Sequence, residues 1–206
     1  MKLPRVYAIV DADTLRGRGI LLADYGAALH AAGVGMIQYR DKSAGAQEIL
    51  AAVAELRAAV PDAVFILNDR ADLALLSGCE GVHVGQGDLS VADARVVMGA
   101  GVVGVSTHNE EQVRAANLSS ADYVAVGPVF ATASKADAEA VVGVEFVRRV
   151  RAMTGKPIVA IGGITRVNAK GVLDAGADCV AVISTLLPVS GETVRESVRR
   201  FVDAIC

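Results

Sequence analysis

The residues best suited to chemistry stand just past short apolar runs. Val64 to Leu67 ends in Asn68, Asp69 and Arg70, and Val82 to Val84 ends in Gly85, Gln86 and Asp88. Two carboxylates delivered from the same ends of two strands make a hard oxygen pair. Such a pair suits magnesium, which takes one or two carboxylates and completes its shell with water and substrate phosphate. Helix N-caps or surface salt bridges would use the same two aspartates. Arg40 and Lys42, in the segment Gln38, Tyr39, Arg40, Asp41, Lys42, flank another strand end. Their spacing points both toward one mouth as donors to phosphate oxygens, with a solvated basic pair as the plain alternative.

Other run ends carry related chemistry. Gly162 and Gly163 follow one run, and Ile183 and Ser184 close another, where many barrels hold a phosphate on backbone N–H groups. A tight turn would also use the two glycines. Thr132, Ser134 and Lys135 place two hydroxyls and an ammonium in a glycine-preceded loop, either a lid or an exposed polar connection. Ser106, Thr107 and His108 follow a further run. His30, His83 and His108 lack the spacing of a histidine metal site. His30 is expected to pack in a helix and His83 in a strand, while His108 stands at the mouth.

These groups meet only if the runs are parallel strands that open on one rim, because parallel strands buried on both faces read as nearly continuous apolar segments. Eight candidates satisfy this: Val6 to Val10, Met36 to Tyr39, Val64 to Leu67, Val82 to Val84, Val102 to Val105, Tyr123 to Val126, Pro157 to Ile161 and Cys179 to Ile183. Helical stripes lie between them, such as Ile49, Val53, Leu56 and Val60 before Pro61, Phe146, Val150 and Met153 before Gly155, and Val194, Val198, Phe201 and Ile205. Gly33, Gly78 and Gly176 recur at expected helix ends. The pattern predicts an α/β fold, a (β/α)8 TIM barrel, with 1–206 as a single domain. A doubly wound sheet would carry a glycine fingerprint after its first strand; Asp11, Ala12, Asp13 and Thr14 stand there instead.

The chain has 206 residues, 53% of them hydrophobic, a net charge of -3 and a pI near 5.6. That balance offers a phosphate backbone no attraction, so nucleic acid is not an expected partner. No run is long and uncharged enough for a membrane span, and no cleavage signal is seen at the N-terminus. Cys79, Cys179 and Cys206 fit free thiols in a reducing compartment, which predicts a cytoplasmic protein. A homo-oligomer is compatible with this composition.

Taken together, QYRDK, ILNDRADLAL, GVHVGQGDL, GVSTH, DYVAVGPVFATASK and IGGI followed by AGADCVAVIS resemble thiamine phosphate synthase from about Gln38 to Ser184. The resemblance implies a transferase of thiamine biosynthesis that joins a pyrimidine methyl diphosphate to a thiazole ethyl phosphate and releases diphosphate. By position it implies that Gln38, Tyr39, Arg40, Asp41, Lys42 and Asn68 bind the pyrimidine diphosphate, and that Asp69 and Asp88 hold Mg2+. It implies that Ser106 and Lys135 also contact that substrate, with Lys135, Ser106 and Arg40 the catalytic set. Thr132, Ala133, Ser134, Gly163, Ile183 and Ser184 would bind the thiazole phosphate. Ser134, Asp41 and Tyr39 depart from the residues commonly found there, threonine, glutamate and leucine.

The implied reaction needs no general base, because the attacking thiazole nitrogen carries no proton; positioning and charge stabilisation suffice. The two substrates bring roughly -5, against about +3 from Arg40, Lys42, Lys135 and the metal less two aspartates. Backbone N–H groups must supply the rest. Two rival readings are a thiazole tautomerase-like isomerase of the same barrel family and a non-catalytic sensor of a phosphorylated ligand.

Overall fold

A computed structural model describes residues 2–132 and 140–206. Eight parallel strands close into a barrel in chain order: β1 (Val6–Asp11), β2 (Met36–Arg40), β3 (Val64–Asn68), β4 (Gly81–Val84), β5 (Val102–Thr107), β6 (Tyr123–Val126), β7 (Ile158–Ile161) and β8 (Cys179–Val182). The seam is made at β1, where Ala8 lies opposite Ile37 of β2 on one side and Val182 of β8 on the other. Closure leaves no unpaired strand edge.

The helices among the described residues are α1 (Ala12–Gly17), α2 (Leu22–Ala31), α3 (Ala46–Ala59), α4 (Ala71–Leu76), α5 (Val91–Met98), α6 (Glu110–Leu118), α7 (Val144–Met153), α8 (Ala169–Asp174) and α9 (Val194–Asp203). Each buries one apolar stripe against the outside of the barrel. Ile49, Val53 and Leu56 do so from α3, Phe146, Val147 and Val150 from α7, and Val198 and Phe201 from α9. These side chains meet Val10, Ile37, Leu67, Val82, Val103 and Val124, the outward residues of the strands. The inward residues Tyr7, Ile9, Met36, Ile66, Val159 and Cys179 form a separate interior cluster. Burial on both faces is why the strands are apolar almost throughout. Thr193 and Glu196 cap the start of α9 reciprocally, and Gly33, Gly78 and Gly176 take positive φ just after α2, α4 and α8.

The strands run further than their apolar runs. β1, β2, β3 and β5 continue to Asp11, Arg40, Asn68 and Thr107, because ladder hydrogen bonds use the backbone and tolerate any side chain at the rim. β7 starts at Ile158, after Pro157, which has no N–H to give to a ladder. β8 stops at Val182; Ile183 turns away at ψ -82° into the 3-10 turn Ser184–Leu186. No helix among the described residues is long and apolar enough to cross a membrane.

Candidate active site

The C-terminal ends of the strands gather the polar residues. Side chains alternate along a strand, so on β2 Met36, Gln38 and Arg40 face inward while Ile37 and Tyr39 face the helices. Asp11 ends β1 in the same sense. It is buried and forms an ion pair with Arg40, its neighbour in register. Its other oxygen caps α1, accepting from Thr14 N at 2.9 Å and Thr14 Oγ1 at 2.6 Å.

Lys42 Nζ lies 3.1 Å from Asp69 Oδ2. Asp69 follows β3 with φ +62°, the only positive φ at a non-glycine residue among the described ones, and its N–H donates to the carbonyl of His83 at 2.8 Å. A left-handed backbone costs roughly 1–2 kcal/mol at most residues and less at aspartate. Such strain persists where the surroundings over-determine it, and it concentrates at working sites. The turn aims the Asp69 carboxylate at that of Asp88, whose Oδ2 accepts from Gly85 N at 2.7 Å. Burial first, and a hydrogen bond shared with Asp88 second, push the Asp69 carboxyl above the usual carboxylate range, against the pull of Lys42. Among the described residues no third His, Cys, Asp or Glu joins the two aspartates. Carboxylate oxygens of this kind suit magnesium better than a softer ion.

From the loop that carries Asp88 the mouth opens into a cavity of about 260 Å³, lined by Gln86, Gly87, Ser106, Thr132, Gly163 and Ser184 among others. The chain after β6 docks there backbone to backbone on the end of β7, Val129 N to Ile161 O at 2.8 Å and Phe130 N to Gly162 O at 3.0 Å. Gly163 has φ +62°, and a Cβ on it would fall 2.5 Å from the carbonyl oxygen of Ala131. Only glycine fits this crossing. His108 Nδ1 is 2.6 Å from the carbonyl oxygen of Gly127.

The structure brings Gln38, Arg40, Lys42, Asn68, Asp69, Asp88 and Ser106 to the inner rim, and Thr132, Gly163, Ile183 and Ser184 to the cavity or its wall. Ala133, Ser134 and Lys135 lie outside the described residues. Two side chains of the Gln38 to Lys42 segment turn the other way. Tyr39 is buried against the helix layer, its hydroxyl donating to Asp41 Oδ2 at 3.3 Å. Asp41 accepts from both guanidinium nitrogens of Arg16, at 2.8 and 3.1 Å, and from the N–H groups of Ser43 and Ala44. Arg16 and those N–H groups hold its carboxyl well below the usual range. Both side chains brace the loop that carries Arg40 and Lys42 from outside. Strand alternation is the physical reason, and it contradicts a run of five side chains pointing at one ligand.

Sequence reasoning overlooked four inward polar residues: Asp11, Tyr7, Tyr123 and His83. His83 has apolar neighbours on both sides, which favours a packing role. The period of two sets it on the face opposite Val82 and Val84, and that signal was available in the sequence.

A closed (β/α)8 barrel with a carboxylate pair, two basic side chains and a glycine-rich cavity on its C-terminal rim is a phosphate-handling barrel enzyme. The family model described as thiamine monophosphate synthase matches residues 6–186, and the chain belongs to that family. It is 53% identical over 191 residues to the thiamine-phosphate synthase of Koribacter versatilis, covering 91% of this chain and 90% of that one. The thiamine-phosphate synthase of Chloroflexus aurantiacus is 42% identical over 197 residues, covering 92% of this chain and 88% of that protein. A solved structure, the thiamine phosphate pyrophosphorylase of Pyrococcus furiosus, superimposes with a TM-score of 0.82 at 31% identity, covering 98% and 96% of the two chains.

Proposed function

We propose that this barrel is a thiamine phosphate synthase that uses Mg2+. It joins 4-amino-2-methyl-5-(diphosphooxymethyl)pyrimidine to 4-methyl-5-(2-phosphoethyl)thiazole, or its carboxylated form, giving thiamine monophosphate and diphosphate. The observation that carries this reading is the adjacency of Asp69 and Asp88 beside Arg40 and Lys42, next to a cavity that reaches Gly163 and Ser184. Two anionic substrates then have two places to go.

The C–O bond to diphosphate breaks with its electron pair leaving on the oxygen, and the thiazole nitrogen lone pair captures the pyrimidine methyl cation. Nothing in this needs a base. Asp69 and Asp88 would hold Mg2+, which when bound neutralises charge on the departing diphosphate. Arg40 and Lys42 bind the same group, and Arg40 is kept at the mouth by Asp11. Lys135, which follows β6 in the sequence, would assist. Without the metal, Asp11, Arg40, Lys42, Asp69 and Asp88 leave this side of the rim one negative charge in excess, so a diphosphate binds poorly until a cation arrives. Backbone groups around Gly163 and Ser184 are suited to the thiazole phosphate. A cytoplasmic setting accords with the free thiols Cys79, Cys179 and Cys206.

The test is diphosphate release from the two substrates with and without Mg2+. Release that needs both substrates and the metal is the expected result. Conversion of thiazole phosphate alone would point to an isomerase, and binding without turnover to a sensor; either outcome overturns the reading.

A further inference from the structure

The barrel interior holds a polar chain that the reaction above leaves unused. Gly104 of β5 lies in register between His83 of β4 and Tyr123 of β6. A Cβ on Gly104 would sit 2.0 Å from Tyr123 Cζ and 2.3 Å from its Oη, so the absent side chain is the space the ring fills. The His83 and Tyr123 rings stack over that gap, with centroids 5.6 Å apart and planes at 20°. Tyr7 meets Tyr123 edge-on, at 6.3 Å and 86°. Hydrogen bonds run unbroken through these groups. Gln38 Nε2 is 2.8 Å from Tyr7 Oη, Tyr7 Oη 3.3 Å from Tyr123 Oη, Tyr123 Oη 2.9 Å from His83 Nδ1, and His83 Nε2 2.9 Å from Ser106 Oγ.

The first link sets the direction of all the others. An amide nitrogen can only donate, so Tyr7 Oη accepts from Gln38; its one hydrogen, buried beside Tyr123 Oη, is satisfied by donating there. Tyr123, having accepted, donates to His83 Nδ1. A neutral imidazole that accepts at Nδ1 carries its hydrogen on Nε2, and that hydrogen goes to Ser106 Oγ. Burial holds both phenols protonated, far above their ordinary pKa. Turning the Gln38 amide over would reverse every bond, so the direction is a definite, measurable property.

We infer that Tyr7, Tyr123 and His83 are positioning residues that fix Ser106 as a hydrogen-bond donor, so that the ligand atom seated against Ser106 is an acceptor. Ser106 lines the cavity, with its oxygen already engaged by His83 and its own hydrogen left to point at the ligand. A serine free to rotate would serve donors and acceptors alike. Here His83 occupies one lone pair of Ser106 Oγ and leaves its hydrogen to the ligand, which tilts the contact toward an acceptor.

The experiment has a spectroscopic arm and a kinetic arm, and only the kinetic arm rests on the reaction proposed above. The chain has three histidines, so protein labelled with nitrogen-15 histidine gives a spectrum assignable by elimination with His30→Gln and His108→Gln. The expected result is a His83 ring protonated at Nε2 and accepting at Nδ1. In the kinetic arm, Tyr123→Phe should lower kcat/KM about tenfold, the size of one neutral hydrogen bond. In a Ser106→Ala background the same substitution should change kcat/KM by less than about twofold. If Tyr123→Phe does not fold, Tyr7→Phe breaks the chain one link earlier and is judged by the same comparison. A His83 ring protonated at Nδ1, or an equal loss in both backgrounds, overturns the inference.

Discussion

Replacing Asp69 by asparagine should make the metal-free protein more stable while removing its activity. Asparagine keeps the shape of the side chain and tolerates the left-handed backbone held at this position. What changes is charge. The Lys42 ion pair is lost, but with Lys42 55% exposed that pair contributes less than about 1 kcal/mol. In exchange, a carboxylate only 22% exposed and crowded by Asp88 no longer has to be ionised in place. Burial, and then the proton that Asp69 shares with Asp88, hold its carboxyl above the usual range in spite of Lys42. A net gain of about 1 kcal/mol follows, the usual size for relieving one unfavourable charge, and it should raise the melting temperature by roughly 2–4 °C in a chain of this size.

The pH dependence of that gain has a definite sign. A carboxyl whose folded pKa lies above its unfolded value binds its proton more tightly in the native state. The advantage of asparagine is therefore full above the folded pKa of Asp69 and closes as the pH falls toward the unfolded value of about 3.9. Melting curves from pH 4 to pH 8 in chelator would measure the gap. In the same variant, diphosphate release with limiting Mg2+ should fall by at least about 100-fold, since a charged metal ligand is gone. A lower melting temperature at neutral pH, or retained turnover in limiting metal, would refute the account of this rim.

Two further outcomes are expected. Asp11→Asn keeps an acceptor for Thr14 but leaves Arg40 without its counter-charge, so urea titration should show a loss of about 3 kcal/mol, alongside a raised KM for the pyrimidine diphosphate. Gly163→Ala puts a Cβ 2.5 Å from the Ala131 carbonyl oxygen at φ +62°; it should cost about 1–3 kcal/mol by thermal melting and raise KM for the thiazole phosphate.

The barrel could be read from the sequence because its strands are buried on both faces and so appear as apolar runs, each closed by a polar or glycine-rich end. Asp69 and Asp88 stand 19 positions apart, yet their places after consecutive strands were enough to predict a shared rim. The direction of individual side chains was harder. Tyr39 and Asp41 share a segment with Arg40 and Lys42, and only strand alternation separates those that face ligand from those that brace the loop. Arg16 lies 25 residues before Asp41 and meets it through the packing of α1 against the loop after β2, a contact no local pattern encodes. The interior chain was hidden for a related reason. Tyr7 and His83 sit between apolar neighbours and Tyr123 opens an apolar run, and the partners that make them polar chemistry come from other strands.

That interior chain joins Tyr7 to Tyr123 across 116 residues of sequence. Contacts of such long range form only after the entropy of closing a large loop has been overcome. Neither the first strands nor the middle ones can orient Ser106 alone, so an isolated half-barrel would lack a working mouth however well its own helices formed. During refolding, the return of turnover should report the moment the last strand seals against the first.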